Sequence, residues 1–273
     1  MSNINLSKPF TYGRRSSIHK INDYQVIKLY SKDMPTERIE EEFNKTRLVW
    51  KSGKLDVPEP IKLTKVNGRD GIIFQRIDGI SYMDIFQKKP WLFFSKIKEI
   101  ANIQRKVHEQ IIDGLPTQKE EFHNLISQSP RINEKEKKML LKILSEKHTP
   151  VLCHGDFHHG NLIETKDKGT YIIDWMDAFS GSYQLDVALT AVNAIVSTSP
   201  DHVPAFYRNA YELLKRLIPL DKIYLRNYDK NFNQNDWNNY MWLASGIHLA
   251  RCEEKDYKFH LKYSRNLEPL KCN

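Results

Sequence analysis

Cysteine is scarce. The three present, Cys153, Cys252 and Cys272, are scattered without paired spacing, which argues against both a disulfide framework and a zinc site. Long apolar runs are missing as well: none approaches the roughly 20 residues that a membrane helix needs. The stretch from Met1 to Phe10 has no charged segment followed by an apolar one, so no secretory signal is expected and the cytoplasm is the default location. There is no Gly-Lys-Ser/Thr phosphate loop of the Walker type and no Gly-x-Gly-x-x-Gly array. Internal repeats and low-complexity tracts are absent too. What is left is an ordinary globular composition, 40% hydrophobic and 28% charged over 273 residues, enough for one large domain or two lobes.

The formal charge of +8 raises the question of nucleic acid. Its distribution answers against it, because lysines are spread along the whole chain. The local runs at 134–138 and 251–258 mix both signs, as solvated faces do. An RNA-binding protein would show steep salt-dependent retention; here neither a nucleic-acid nor a membrane partner is expected. A mild positive field does favour the approach of an anionic nucleotide.

The front of the chain is rich in strand signals. Residues 17–21 and 25–30 read as a hairpin turning at Asn22-Asp23, and 61–66 with 71–77 as a second one turning at Asn67-Gly68. Between them a helix is expected over about 36 to 51, with Glu37 and Glu40 near its positive end and Ser52-Gly53 closing it. Val57-Pro58-Glu59-Pro60 reads as an extended connector. After Asp78-Gly79 the pattern turns helical, with apolar spacing over 91–110, 120–128 and 133–147. Short strands follow at 151–153, 162–164 and 171–174, the last two joined by a turn at 166–169, and helical spacing resumes at Gln184, broken at Ser199-Pro200 and Pro219. The expectation is an α+β protein: an N-terminal lobe of antiparallel sheet plus one helix over 1–77, and a larger, mainly helical lobe over 78–273.

The densest chemistry lies in His154-Gly155-Asp156-Phe157-His158-His159-Gly160-Asn161, followed by Ile172-Ile173-Asp174-Trp175. Phosphoryl transfer needs a carboxylate to take or orient the proton of the attacking hydroxyl, and oxygen ligands to hold magnesium across the phosphates. An Asp and an Asn separated by four residues, with a second Asp beyond a strand, supply those parts, and the protein-kinase catalytic loop has the same Asp-x-x-x-x-Asn spacing. Magnesium is a hard cation, so Asn161 and Asp174 are suitable ligands. Asp, Asn and Gly are also ordinary turn formers, but a turn uses one or two of them, not a string of this length. His158 and His159 have no cysteine or further histidine at zinc-ligand spacing. Their roles stay undecided, while His154 is read as bracing for the loop.

The His-Gly-Asp-x-x-x-x-Asn string followed by Ile-Asp-Trp resembles the aminoglycoside phosphotransferase and choline kinase family, whose fold is similar to that of protein kinases. The resemblance extends over nearly the whole chain. Val26-Ile27-Lys28-Leu29 looks like the strand that carries the nucleotide-phosphate lysine, and Glu42 matches the helix glutamate paired with it. Phe74-Gln75-Arg76-Ile77-Asp78-Gly79 looks like the hinge that receives the base, which implies nucleotide contacts at Gln75 and Ile77. Asp186-Val187-Ala188 resembles the segment whose Asp braces the catalytic loop. By this resemblance Asp156 is the catalytic base, and Asn161 and Asp174 are the metal ligands.

Each of these residues also has a plain alternative. Lys28 sits in an apolar strand, on the face opposite Ile27 and Leu29, where a lysine is usually solvent-facing. A partner on the next helix changes that, and either Glu41 or Glu42 is within range. Ile39, Glu42, Thr46 and Val49 share one helical face, whereas Glu41 stands four residues before Lys45, which favours Glu42 as the partner. Asp186 also suits the first turn of a helix through its charge alone. The phosphate loop is the poorest match: Tyr12-Gly13-Arg14-Arg15-Ser16-Ser17 has one glycine, although Ser16 and Ser17 can offer hydroxyls and N–H groups to phosphate. Asp177 either belongs to the site or merely follows a turn. Trp175, Tyr183, Trp237, Tyr240 and Trp242 either line an acceptor pocket or pack between helices, with packing favoured.

The leading expectation is therefore a small-molecule kinase that uses ATP or GTP with Mg2+ and a small hydroxylated acceptor. The chain after Asp174 has no Ala-Pro-Glu and little room for an activation loop, which argues against a protein kinase. An aminoglycoside acceptor would want an acidic pocket. Asp236, Glu253, Glu254 and Asp256 do not supply one, because Arg251, Lys255 and Lys258 stand among them; sugars, amino alcohols and other metabolites stay open. The competing expectation is a catalytically silent nucleotide-binding or regulatory protein of the same fold. A silent binder has no need of Asp156.

Overall fold

The computed structural model of the chain describes residues 6, 8–13, 15–167, 169–196 and 204–252. Expectations that involve Arg14, Lys168, Ser199-Pro200, Cys272 and the charged residues Glu253, Glu254, Lys255, Asp256 and Lys258 lie outside those residues. In chain order the elements begin with β1 (Thr11–Tyr12), β2 (Ser16–Lys20), β3 (Gln25–Tyr30), α1 (Thr36–Lys51), β4 (Pro60–Val66) and β5 (Arg69–Gln75). Next come β6 (Ile80–Ser81), α2 (Tyr82–Lys88), α3 (Phe93–His108), α4 (Gln118–Ser127), α5 (Glu134–Leu144), β7 (Val151–Cys153), β8 (Leu162–Glu164) and β9 (Thr170–Ile172). The chain continues through β10 (Phe179–Gly181), α6 (Tyr183–Val196), α7 (Ala205–Leu217), α8 (Leu220–Tyr228) and α9 (Gln234–Arg251). This is the mixed α+β architecture expected, with an antiparallel sheet first and mainly helices after it. No helix among the described residues is long and apolar enough to cross a membrane.

Two compact units form. One takes the chain up to Lys88 together with His159–Asp177; the other takes Lys89–His158 together with the chain from Ala178 onward.

In the first unit five strands run antiparallel in the order β1-β2-β3-β5-β4. The β2–β3 turn is held by the Tyr24 N–H, which donates to Asn22 Oδ1 at 2.8 Å. The β4–β5 turn places Asn67 and Gly68 at φ 50° and 74°, the left-handed pair that matches the twist of a two-residue hairpin. Strand alternation splits β3 between two cores: Ile27 and Leu29 pack with Val66 and Ile73, while Tyr30 packs with Ile39 and Ile72. Helix α1 buries Ile39, Glu42, Lys45, Thr46 and Val49, and the chain leaves it through Gly53 at φ +65°. Strand β5 stops at Gln75, short of the expected end at Ile77, where the Arg76 N–H turns to Tyr24 O at 2.8 Å.

A three-stranded sheet in the order β6-β8-β9 belongs to the same unit. At its edge a Cβ on Gly79 would lie 2.5 Å from Glu164 O, so only glycine permits this approach of the two backbones. Strand β9 ends at Ile172, whereas residues 171–174 were expected to be extended. Asp174 adopts φ +66°, a left-handed conformation that cannot continue a pleated strand.

In the second unit α6 and α9 pack against each other, with α3 and α8 beside them. Leu185, Leu189, Val192 and Val196 of α6 are buried, as the helical spacing suggests. Helices α4 and α5 start at full capping boxes, Thr117 with Glu120 and Asn133 with Glu136. Strands β7 and β10 pair antiparallel, with Cys153 opposite Phe179.

Candidate active site

The first unit carries a buried ion triad. Lys28 and Tyr30 point to the α1 side of β3, and the Lys28 Nζ donates to Glu42 Oε1 at 2.8 Å and to Asp174 Oδ1 at 2.9 Å. The Tyr30 hydroxyl donates to the other oxygen of Glu42 at 2.6 Å, and the Lys28 ammonium lies 5.2 Å from the centre of the Tyr30 ring. Glu42 is 1% exposed, Lys28 12% and Asp174 38%. Burial opposes the charge on Lys28, but the carboxylates of Asp174 and Glu42 outweigh it and hold its pKa above the usual lysine value. Burial pushes the Glu42 carboxyl upward, and Lys28 only partly offsets that.

The choice between the two glutamates is thus resolved in favour of Glu42. Glu41 instead pairs with Arg38 at 3.0 Å, and Lys45, expected as a surface partner of Glu41, is buried and donates to Met176 O at 3.0 Å. Arg38 also reaches Asp177 at 3.0 Å, so Asp177 ties the segment after Asp174 to α1.

Asn161 closes a 3-10 turn, His159–Asn161, at the entrance to β8. Its backbone oxygen accepts from the Ile173 N–H at 3.0 Å, next to the Leu162↔Ile172 pair of β8 and β9. Asn161 and Asp174 therefore stand at the same end of one hairpin. An amide oxygen and a half-exposed carboxylate placed in this way form a donor set that suits a hard divalent cation. His159 turns its ring to Phe86, with centroids 5.3 Å apart.

Of the other residues expected to meet nucleotide, Ser16 opens β2 and its backbone oxygen accepts from the Gly13 N–H at 3.0 Å. Ser17 is a correction. It is buried, with its hydroxyl 2.9 Å from His19 Nε2 and 3.1 Å from the donating Arg69 guanidinium, because strand alternation turns it inward. Gln75 exchanges hydrogen bonds with the backbone of Glu59, and Ile77 follows in the link between β5 and β6.

The second unit carries the Asp156 loop. Asp186, completely buried in the first turn of α6, accepts from the backbone N–H groups of Gly155 at 2.7 Å and His154 at 3.2 Å. His108 Nε2 at 2.9 Å and the Gln104 amide at 3.0 Å complete its surroundings. Burial works against the Asp186 charge, but His108, the Gly155 N–H and His154 outweigh it and hold the carboxyl below the ordinary range. Gly155 has φ +82°, which lets both N–H groups turn to one carboxylate. Arg251 donates to Gly155 O at 3.2 Å, and the Asp156 N–H donates to buried His154 Nδ1 at 3.3 Å.

The Asp156 side chain accepts from Asn193 Nδ2 at 3.1 Å, and its second oxygen lies 3.6 Å from His158 Nε2. Burial pushes its carboxyl up, but His158, Arg251 and His154 overcome this and leave it well below the usual aspartate value. It is ionised throughout the neutral range.

Sequence reasoning missed Gln104, His108, Asn193 and Arg251. Asn193 had one available signal, since it follows Asp186 by seven residues, two helical turns along the same face. Trp175, Trp237 and Trp242 are buried packing residues, while Tyr183 is partly exposed and stacks on Tyr228.

Asp186→Ala takes the acceptor from four donors at once. It is expected to cost about 3 kcal/mol or more at pH 7, read by urea unfolding. Because the folded carboxyl titrates below its unfolded value, that contribution is complete above the ordinary aspartate pKa and is lost as pH falls through the depressed one. The stability gap between wild type and variant should therefore close on acidification; a gap independent of pH would contradict the assignment.

Three solved structures illustrate what the fold is similar to. A thermostable mutant of the aminoglycoside phosphotransferase APH(4)-Ia, in its apo form, has a TM-score of 0.64 at 14% identity, covering 96% of this chain and 94% of that one. The GDP and kanamycin complex of APH(2")-IIia has a TM-score of 0.56 at 12% identity, covering 97% and 93%. APH(3'')-Id from Streptomyces rimosus, in complex with ADP and streptomycin, has a TM-score of 0.53 at 16% identity, covering 90% and 93%. At such identities the likeness is one of fold. None of the curated proteins matches the chain at a significant level. The model of the phosphotransferase enzyme family matches residues 21–220, well over half of the sequence, and the chain belongs to that family.

Proposed function

We propose that this protein transfers the γ-phosphate of ATP or GTP to a hydroxyl of a small molecule, with Asp156 as the base. Lys28, oriented by Glu42, holds nucleotide phosphate; Gln75 and Ile77 take the base edge, and Ser16 stands at the phosphate turn. Asn161 and Asp174 would hold Mg2+, which supplies neutralising charge to the phosphates when bound. The observation that carries the reading is the buried Lys28 ammonium between Glu42 and Asp174. A lysine held this way is costly as mere surface chemistry, and it matches the need for a fixed cation beside a polyphosphate. The similar proteins solved with ADP and streptomycin, and with GDP and kanamycin, make a purine nucleotide and a hydroxylated acceptor the reasonable classes to test.

The residues act in order. Asp156, ionised at neutral pH, accepts the hydrogen bond of the acceptor hydroxyl and orients its oxygen toward the γ-phosphorus. Proton transfer to a carboxylate this weakly basic comes late, which suits a loose transition state with little bond formation to the nucleophile. Asp186 and Arg251 hold the loop backbone while this happens. In functional terms residues 1–77 make the nucleotide lobe and residues 78–273 the catalytic and acceptor lobe, except that 78–88 and the metal-ligand segment 159–177 fold within the first compact unit. The direct test is magnesium-dependent turnover of ATP and GTP across aminoglycosides, sugars and amino alcohols. Nucleotide binding without transfer to any acceptor or to water would favour the silent alternative instead.

Glu42→Gln supplies a second check. The amide preserves shape and can still meet the Tyr30 hydroxyl, but the charge that fixes Lys28 is gone. Losing one charge-assisted hydrogen bond of about 1.5 kcal/mol should weaken nucleotide binding roughly tenfold. Isothermal titration reads this; unchanged affinity would mean that Lys28 does not need its partner.

A further inference from the structure

We propose that Asn193 is a positioning residue for this reaction, its side-chain amide fixing the Asp156 carboxylate in the orientation that meets the acceptor hydroxyl. The inference rests on the phosphotransfer reading above. Asn193 Nδ2 donates to Asp156 Oδ1 at 3.1 Å. An ionised carboxylate only accepts, so the NH2 end of the amide has to face it.

The same helix acts on the loop twice. Asp186 grips the N–H groups of His154 and Gly155, and Asn193, about 10 Å further along the axis, grips the side chain that follows them. Asp186 and Arg251 fix the path of the backbone, whereas Asn193 reaches the carboxylate itself. With Oδ1 engaged, Oδ2 is left on the side of His158. His158, Arg251 and His154 act electrostatically on Asp156, each favouring the ionised form. Asparagine is a poorer helix former than the Ala and Leu of the same helix, so helix propensity does not account for it.

Removing the donor should misdirect the base without touching the nucleotide. Asn193→Ala is expected to lower kcat about 10- to 100-fold, with nucleotide KM changed less than about twofold. Asn193→Asp has the same size but sets a carboxylate against a carboxylate. It should lower kcat roughly tenfold further and move the Asp156 titration upward by about one unit or more. That titration is followed by carbon-13 chemical shift of the Asp156 carboxyl, which needs no turnover, and urea unfolding confirms that both variants fold. A kcat unchanged in Asn193→Ala, or an Asn193→Asp protein indistinguishable from Asn193→Ala in rate and in Asp156 titration, overturns the proposal. A wild-type protein inert toward every acceptor overturns the phosphotransfer reading and the catalytic role with it. The titration then decides separately whether Asn193 governs the carboxyl.

Discussion

Asp156→Ala and Asp156→Asn are expected to lower the phosphoryl transfer rate by about a thousandfold or more while leaving nucleotide affinity within about threefold of wild type. The asymmetry follows from where Asp156 sits. Its neighbours are Asn193, His158 and the loop backbone, and Lys28, which is proposed to meet the phosphates, is bound to Glu42 and Asp174 instead. Asp156→Asn is the sharper variant, because the side chain keeps its shape and can still accept from Asn193 through its carbonyl oxygen. What it loses is the negative charge and the second strong acceptor. The depressed pKa adds a statement about pH: wild-type kcat should show no acid limb from Asp156 anywhere near neutrality. Single-turnover rates and nucleotide titration on the same preparations check both halves. A variant that retains more than a tenth of the wild-type rate would remove Asp156 from the mechanism.

The chemistry-bearing strings were legible because they are local. Asp156, Asn161 and Asp174 stand within nineteen positions of sequence, and β8 and β9 place the last two at one end of a short hairpin. Glu42 was legible through periodicity, on the buried stripe of α1, whereas Lys28 was legible through the resemblance and that partner, since period two on β3 by itself suggests a solvent-facing lysine. The same period-two rule, applied to Ser17, would have turned it inward as the structure does; the resemblance to a phosphate loop overrode it. Asn193 had only its seven-residue spacing from Asp186 to mark it. Arg251, which reaches the loop backbone from α9, and His108, which reaches Asp186 from α3, were not legible, since nothing in their own segments marks them. The two- and three-residue strands β6 and β10 are too short to show a period at all. Asp174 illustrates a further limit: its neighbours Ile172 and Ile173 suggest extended chain, and only the folded backbone shows the left-handed turn that ends β9.

That turn shapes the second large effect. Asp174→Asn is expected to abolish most of the magnesium dependence of nucleotide binding, at least a tenfold loss of the metal-linked part. Asparagine tolerates the left-handed region nearly as well as aspartate, so the φ of +66° is kept and the measured change reports charge. Asp174→Ala would add a backbone cost of about 1 kcal/mol that confuses the reading. The fold itself should survive the Asn variant, because Lys28 retains Glu42 at 2.8 Å and the lost partner is the more exposed of the two. A half-exposed partner contributes less than about 1 kcal/mol once screened by solvent. The two substitutions thus separate along different axes: Asp156 carries rate with affinity preserved, and Asp174 carries metal-linked affinity with stability preserved. Equilibrium titration of nucleotide with and without magnesium measures the second. If Asp174→Asn responds to magnesium as fully as wild type does, the metal is held elsewhere, and the Asn161–Asp174 end of the β8–β9 hairpin is a structural turn with Lys28 as its counter-ion.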